Sequence, residues 1–409
     1  MTKPYNLAGL DIGTSNIKIV IINKKKGESS PEVVFQAQEP SFGVKKGVVV
    51  DTDKAARAIQ LLLNRIRAEG ANRIDSVLVN IGGSHVYCTS SRGMVAVSRA
   101  DQRVSEEDVE RLLQEASRSI SLSLNKEIIE YFPRELIVDG QGGIKEAVGM
   151  QGGRLETEIL ALTCFSPYKK NLIQAVQDSD LELLEIVPSP VASSLAVLTP
   201  KQKELGVAVL DIGAGTSELA VFEDESLIHL AIFPIGSANI TNDIAIGLRT
   251  DIDTAELIKI NSGTCFFNGK DKKEKIETAD GEKLVFSHRL LSRIIEARVA
   301  EIFDEVQKEL KKISKQGLLP AGIVLTGGGS KIPKIVELAK KEFKLPCRLG
   351  KPMGFSGLEE DPAFSTACGL IVRGIDLEEG RGFKGGNWPS IPGGKIWEKI
   401  KQLFRSFIP

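Results

Sequence analysis

Leu10-Asp11-Ile12-Gly13-Thr14-Ser15-Asn16-Ile17-Lys18 decides how this chain is read, because Leu210-Asp211-Ile212-Gly213-Ala214-Gly215-Thr216-Ser217 carries the same core again. In each copy an apolar run ends in an aspartate. A glycine and small residues follow, and a second apolar run resumes at residues 17–22 and 219–222. That pattern predicts strand, tight turn, strand. Matching the Thr-Ser pairs, Thr14-Ser15 with Thr216-Ser217, reads the second turn as longer by a two-residue insertion. A turn of this composition presents several backbone N–H groups, and its small side chains let an anion approach them. The aspartate at the strand end cannot bind phosphate, but it can hold a hydrated Mg²⁺, which keeps much of its water and takes one or two carboxylates. One Asp-Ile-Gly alone would be an ordinary hairpin. Two, one per half of the chain, predict a nucleoside triphosphate gripped between two related lobes.

A third cluster supports this. Ile323-Val324-Leu325-Thr326-Gly327-Gly328-Gly329-Ser330-Lys331 reads as a buried strand, a glycine turn and a helix start with Pro333 in its first turn. Such a cluster gains meaning from its structural context.

Bulk numbers exclude other classes. A chain of 409 residues has room for two or more domains with real cores. A net charge of −1 leaves no electrostatic footprint for nucleic acid. The five cysteines are scattered and lack a C-x-x-C pair, so they read as reduced thiols of a cytosolic protein. Three distant histidines argue against zinc. No signal-peptide pattern opens the chain, and no run reaches the ~18–20 apolar residues of a spanning helix.

Along the chain, Lys18 lies on the first return strand, where it reaches either a phosphate or solvent; spacing does not separate the two. Residues 52–69 have helical periodicity with Asp51 or Thr52 as cap, and residues 77–83 read as a central strand ending in Gly82-Gly83, at the cleft or at a domain crossover. From residue 84 to about 162 the texture changes to short β-like runs around one charged helix, residues 105–119, capped by Ser105 with acids in its first turn. Nothing there looks catalytic, so it reads as a small inserted α+β module for protein contact. Residues 171–179 are expected to be helical. The small-residue segments 189–196 and 363–369 read either as helices crossing at an interdomain hinge or as ordinary core helices. Glu256 and Lys259 sit at i, i+3 on a helix, by default a surface ion pair. Residues 270–283 read as a solvated hairpin and 287–314 as a long helix.

Residues 377–394 are rich in glycine and proline, a flexible linker by composition. Beyond it, Ile396, Trp397, Ile400, Leu403, Phe404 and Phe407 fall on one helical face, with the cations mostly opposite. Too short to span a bilayer, this segment suits interfacial membrane binding. A helix docked on the core, or in a partner's groove, is the alternative.

With these pieces assembled, the chain resembles the FtsA family of bacterial cell-division proteins, within the actin/Hsp70/sugar-kinase superfamily. The resemblance runs nearly end to end. It includes both turns, Gly149-Met150 through Gly153-Arg154-Leu155-Glu156, Leu195-Ala196-Val197-Leu198-Thr199, Pro234-Ile235-Gly236, Ile240-Thr241-Asn242-Asp243-Ile244-Ala245, Ala255-Glu256 with Lys259, residues 325–329, and the linker with its amphipathic end. It implies a two-lobed, actin-like (ribonuclease H-like) α/β ATPase fold with an inserted α+β subdomain and a C-terminal amphipathic helix. The implied divisions are subdomain 1A at 1–83 and 163–198, an SHS2-like subdomain 1C at 84–162, 2A at 199–235 and 318–376, 2B at 236–317, the linker at 377–394 and a membrane-targeting helix at 395–409. The last helix of 2A is expected to pack toward 1A.

The resemblance also implies roles. Gly13, Thr14, Ser15, Asn16 and Lys18, with Gly213, Ala214, Gly215, Thr216 and Ser217, would hold the phosphates of ATP, and Asp11 and Asp211 would orient the water of Mg²⁺. Glu256 and Lys259 would flank ribose and adenine, and Gly327, Gly328, Gly329, Ser330 and Lys331 would floor the adenosine. Arg298 would meet an acidic group of the C-terminal peptide of the division GTPase FtsZ. The implied function is a polymer-forming adaptor that anchors FtsZ filaments to the cytoplasmic face of the membrane at the division site and contacts other division proteins.

Three departures matter. Ala214 stands where a Gly-Gly-Gly-Thr turn has its middle glycine, and Ala297 where the family has proline. Ser189-Pro190 stands where the hydrolysing filament protein MreB has Glu-Pro, whose glutamate orients the attacking water. Such positioning is much of what a protein contributes to phosphoryl transfer. ATP binding with at most slow turnover is therefore expected. Two other readings compete. A small-molecule kinase of the superfamily would need a cleft aspartate as base. A PilM-like pilus-assembly scaffold shares the fold and insertion but normally lacks the terminal helix.

Overall fold

The computed structural model describes residues 5–24, 30–70, 74–267, 269–271, 273–277 and 283–378. Two five-stranded sheets carry the architecture, and both are built to one plan. In the first the order is Glu182–Pro188, Ser76–Ile81, Tyr5–Ile12, Asn16–Lys24, Glu32–Pro40. In the second it is Cys347–Leu349, Ile323–Thr326, Val207–Ile212, Ser217–Glu223, Ser226–Phe233. Each has two parallel pairings on one side of its first strand and two antiparallel pairings on the other. The strands of the repeated motif are central and buried on both faces. They therefore read as continuous apolar runs rather than alternating ones.

A third sheet belongs to the inserted module. Strands Tyr87–Ala96, Arg154–Phe165, Lys126–Val138 and Gln141–Ile144 form an antiparallel sheet, covered by helix Glu106–Arg118. Its core is separate, with Val109, Leu112, Ala116, Leu136, Leu155 and Ile159 buried. The Ser105 side chain accepts from the Asp108 backbone N–H while Asp108 accepts from that of Ser105, a capping box.

Helix boundaries follow their caps. Asp51 accepts from Lys54 N at 3.1 Å and starts helix Thr52–Ala68. Ser287 accepts from Leu290 N at 3.1 Å and starts helix His288–Lys312, whose buried stripe includes Leu291, Ile295, Val299, Ile302 and Val306. The helix expected at 171–179 begins earlier, at Ser166–Gln177, because Pro167 is accommodated in its first turn, where a missing N–H costs nothing. After Thr326 the chain makes a 3₁₀ turn, Gly328–Lys331, and the α-helix starts only at Ile335–Phe343, so Pro333 precedes that helix rather than sitting in it.

The two small-residue segments do cross. Helix Ser365–Glu378 packs on helix Ser189–Val197 so closely that a Cβ on Gly369 would lie 1.7 Å from Ala192 O. The same helix lies against the first sheet, where a Cβ on Gly9 would meet Ala367 O at 2.4 Å. Its Arg373, 3% exposed, reaches Glu185 at 3.0 Å and Glu130 of the inserted module at 3.1 Å. Burial opposes the Arg373 charge, but the two carboxylates outweigh it and raise its pKa further. The linker expected at 377–394 begins inside the last turn of this helix. The rest of it and the amphipathic segment 395–409 lie outside the described residues.

Candidate functional site

The two hairpins superpose by register. Asp11 is cross-strand to Lys18 and Ile12 to Ile17; Asp211 is cross-strand to Glu218 and Ile212 to Ser217. Each turn is closed by one backbone bond, Gly13 N to Asn16 O at 3.2 Å and Gly213 N to Thr216 O at 2.9 Å. Four residues span each turn, so the second contains no insertion. The Thr-Ser pairs are not equivalent: Thr14 corresponds to Ala214, Asn16 to Thr216, and Lys18 to Glu218. Strand hydrogen bonds set this register, not matching letters.

The tips face each other. A Cβ on Gly215 would lie 2.7 Å from Thr14 Oγ1, and that hydroxyl accepts from Gly47 N at 2.9 Å. Glycine at 215 is thus required by the opposite turn. Lys18 is not a solvated strand residue: its Nζ lies 2.9 Å from Asp11 Oδ2 with 16% of the side chain exposed. Asp11 Oδ1 accepts from Asn80 Nδ2 at 2.9 Å; Asn80 also donates to Ser189 Oγ at 3.1 Å and accepts from Ile12 N at 2.7 Å. The strand Ser76–Ile81 therefore reaches the cleft rather than serving only as a crossover.

On the other side, Asp211 Oδ2 accepts from Thr366 Oγ1 at 3.2 Å. Gly327, at φ +83°, leaves no room for a side chain: a Cβ would be 2.1 Å from Asp211 Oδ1. Gly329 packs on Ile212 and Ser237, while Gly328 is open and exposed. Gly236 and Ser237 rest on the second turn, with Ser237 N donating to Gly213 O at 2.8 Å. Lys259 is buried against this corner, donating to Thr241 Oγ1 at 2.8 Å, to Ser237 O at 3.3 Å and to Glu256 at 2.6 Å. The Glu256–Lys259 pair is therefore surface-exposed only on its glutamate side.

Some expected residues are already committed. Ser217 Oγ donates to Ile235 O at 2.8 Å, Ser330 Oγ to Gly327 O at 2.6 Å, and Lys331 pairs with Asp361 at 2.7 Å.

Charge in the cleft is unbalanced, with Asp11, Asp211 and Glu218 gathered around Lys18. Burial, then the Asp11 charge, push Asp211 up to about 6 against the opposing pull of Lys18 and Thr366. Burial, then Asp211, push Glu218 well above the usual carboxylate range. For Lys18 burial works against the charge, but Asp11 outweighs it and the pKa rises. One Glu218 oxygen, Oε2, is buried without a hydrogen-bond partner among the described residues. An added divalent cation would relieve this excess. Among the described residues no three His, Cys, Asp or Glu form a metal cage.

Residues 208–369 match the family profile "Cell division protein FtsA", and residues 83–163 match "SHS2 domain inserted in FTSA". The cell division protein FtsA of Pseudomonas aeruginosa is 35% identical over 378 residues, covering 91% of this chain and 90% of that one. The chain belongs to the FtsA family of cell-division proteins. Among solved structures, a PilM–PilN type IV pilus biogenesis complex matches with TM-score 0.66 and 19% identity over 90% of this chain and 98% of that one. MreB 5 of Spiroplasma citri bound to AMPPNP matches with TM-score 0.56 and 14% identity over 91% and 97%. The fold is thus the actin-like two-lobed α/β fold with an inserted SHS2 subdomain. Among the described residues no helix is long and apolar enough to cross a membrane.

The FtsA resemblance pointed to Arg298 as the residue that meets an acidic group of the FtsZ peptide; in the structure it is paired within the chain. Its guanidinium holds both Asp243 oxygens, at 2.6 and 2.9 Å, and also Glu301. On the same helix a cavity of about 330 Å³ is lined by Phe266, Phe267, Gly269, Arg289, Ser292, Arg293 and Glu296. Reading the sequence missed this pocket, as well as Asn80, Thr366 and Glu218. Glu218 had a signal, since aligning the turns without a gap places it opposite Asp211.

Proposed function

We propose that this chain is an ATP-binding, filament-forming adaptor that anchors FtsZ polymers to the cytoplasmic face of the membrane at the division site. The observation that carries the nucleotide part is the pair of hairpins in one register, tip to tip, with Asp11 and Asp211 at their roots. Backbone N–H groups of Thr14 to Asn16 and of Ala214 to Thr216 would hold the phosphates, with Thr14, Ser15 and Lys18 adding side chains. Asp11 and Asp211 would receive the water shell of Mg²⁺, whose charge would offset the phosphates and the cleft's own carboxylates. Glu256 and Lys259 would flank the ribose and adenine above the Gly327–Ser330 floor. Nucleotide bridging two lobes fixes their relative angle, a physical route from ATP to assembly. We read the subdomain divisions as 1A at 1–83 and 163–198, 1C at 84–162, 2A at 199–235 and 318–376, and 2B at 236–317.

Segment 395–409, by its sequence, would lie in the membrane interface. One such helix binds weakly, and a polymer presenting many binds firmly. For the FtsZ peptide, Arg289 and Arg293, which line the pocket together with Phe266 and Phe267, suit an acidic, partly hydrophobic tail better than Arg298, whose charge Asp243 and Glu301 already answer.

The test is co-pelleting with anionic-lipid vesicles in the presence of ATP, Mg²⁺ and an FtsZ tail peptide. The full chain should pellet and carry the peptide. Deleting 395–409 should abolish pelleting and leave peptide binding intact. Arg293→Glu should do the reverse, weakening the peptide on the order of tenfold, about 1.4 kcal/mol. Unchanged pelleting after the deletion contradicts the anchor.

A further inference from the structure

We propose that Glu218 is the group that positions the attacking water for this protein's ATP hydrolysis, a role Ser189 is too short to fill; this rests on the nucleotide reading above. Glu218 is 7% exposed, projects from the strand opposite Asp211, and so lies on the cleft side of the second hairpin. Its Oε1 accepts from Thr216 Oγ1 at 3.2 Å, while Oε2 is buried with no partner among the described residues. A buried carboxylate oxygen left unsatisfied is costly and calls for a ligand or water.

The neighbouring backbone is packed tightly beside this side chain. Gly82 does not have a left-handed φ, so conformation alone does not demand glycine there. Space does: the position a Cβ would take lies 3.0 Å from Glu218 Oε1 and 3.0 Å from Ser189 Oγ. Ser189 Oγ is held by Asn80 Nδ2 at 3.1 Å, and the same amide holds Asp11 at 2.9 Å. Gly82 therefore packs beside a carboxylate and a hydroxyl, and that hydroxyl is held by the amide that touches the first hairpin's aspartate. The water that Glu218 positions would be held by Oε2, the oxygen left without a partner among the described residues.

In the step, the water oxygen forms a bond to the γ-phosphorus as the bond from that phosphorus to the β,γ-bridging oxygen breaks. The electron pair of the broken bond stays with ADP. Glu218 accepts a proton from the water and passes it to the released phosphate, which regenerates the carboxylate. One water is consumed, and nothing is oxidised or reduced.

The test uses the purified full chain with Mg²⁺ and measures ATP affinity by calorimetry and phosphate release in single turnover. Glu218→Gln should leave ATP affinity within about threefold and cut turnover on the order of a hundredfold, the scale of a lost proton acceptor. It should also flatten the acid limb of the pH–rate profile and raise the melting temperature of the nucleotide-free protein. Gly82→Ala, whose Cβ would press on Glu218 Oε1 and Ser189 Oγ, should lose turnover similarly. A merely structural glutamate would change affinity and melting together and leave the pH profile alone. Wild-type turnover in Glu218→Gln with ATP bound overturns this proposal alone, as does tight ATP binding by the wild type with no hydrolysis at all. Failure of the wild type to bind ATP overturns the nucleotide reading as well.

Discussion

Asp211→Asn is expected to stabilise the nucleotide-free protein at pH 7.5 while removing its Mg²⁺-dependent affinity for ATP. Burial and Asp11 push the Asp211 pKa up to about 6 from the model-compound 3.8. Between about pH 4 and pH 6 the folded protein keeps a proton that the unfolded chain has released. Stability therefore falls as pH rises through that window and stays at the lower plateau above it. This difference corresponds to at most about 3 kcal/mol. Asparagine is uncharged, keeps the shape, and still accepts from Thr366. The gap between variant and wild type should open from near zero at pH 4 to about 2–3 kcal/mol at pH 7.5, read as a few degrees in thermal melts. A variant less stable than wild type at pH 7.5 would mean Asp211 is held ionised by structure rather than poised for a cation.

Gly369→Ala should be among the most damaging single methyls at the described glycines. Its Cβ would lie 1.7 Å from Ala192 O and 2.4 Å from Ala192 C, backbone atoms of a buried helix that cannot rotate away. The crossing of Ser365–Glu378 on Ser189–Val197 must open, and the contacts on both sides open with it. Overpacking of this kind costs about 3 kcal/mol or more. At Gly374 the nearest atom is the tip of Leu7, at 2.4 Å, a side-chain end that can turn, so alanine there should cost less. At Gly328 the nearest atom is 4.0 Å away, and alanine should be neutral. Urea denaturation checks this order. Equal midpoints for the variants at 369 and 328 would contradict the crossing.

Much of this was legible in the residues, for physical reasons that differ by element. Buried strands ending in Asp-Ile-Gly can be read because apolar runs and turn glycines are local. The cap at Ser105, and the choice of Asp51 or Thr52, can be read because a cap needs only its own first turn. Register was harder. Thr14-Ser15 and Thr216-Ser217 invite alignment, yet Gly13 N–Asn16 O and Gly213 N–Thr216 O make the turns equal in length and pair Lys18 with Glu218. Long-range partners were beyond reach. Asn80 meets Asp11 and Ser189 across more than sixty positions, and Arg298 finds Asp243 from the next helix but one, so neither encounter leaves a mark on spacing. Lys259 looked like a surface lysine because Ser237 and Thr241, which bury it, belong to another helix.

The central claim is that two matched turns close around ATP and Mg²⁺. Calorimetric titration of the purified full chain with ATP, with and without Mg²⁺, tests it most directly. The account predicts saturable one-to-one binding on the order of micromolar, lost on removing Mg²⁺ and lost in Asp211→Asn. No saturable binding up to about 1 mM ATP, or binding of equal strength in Asp211→Asn, would contradict it.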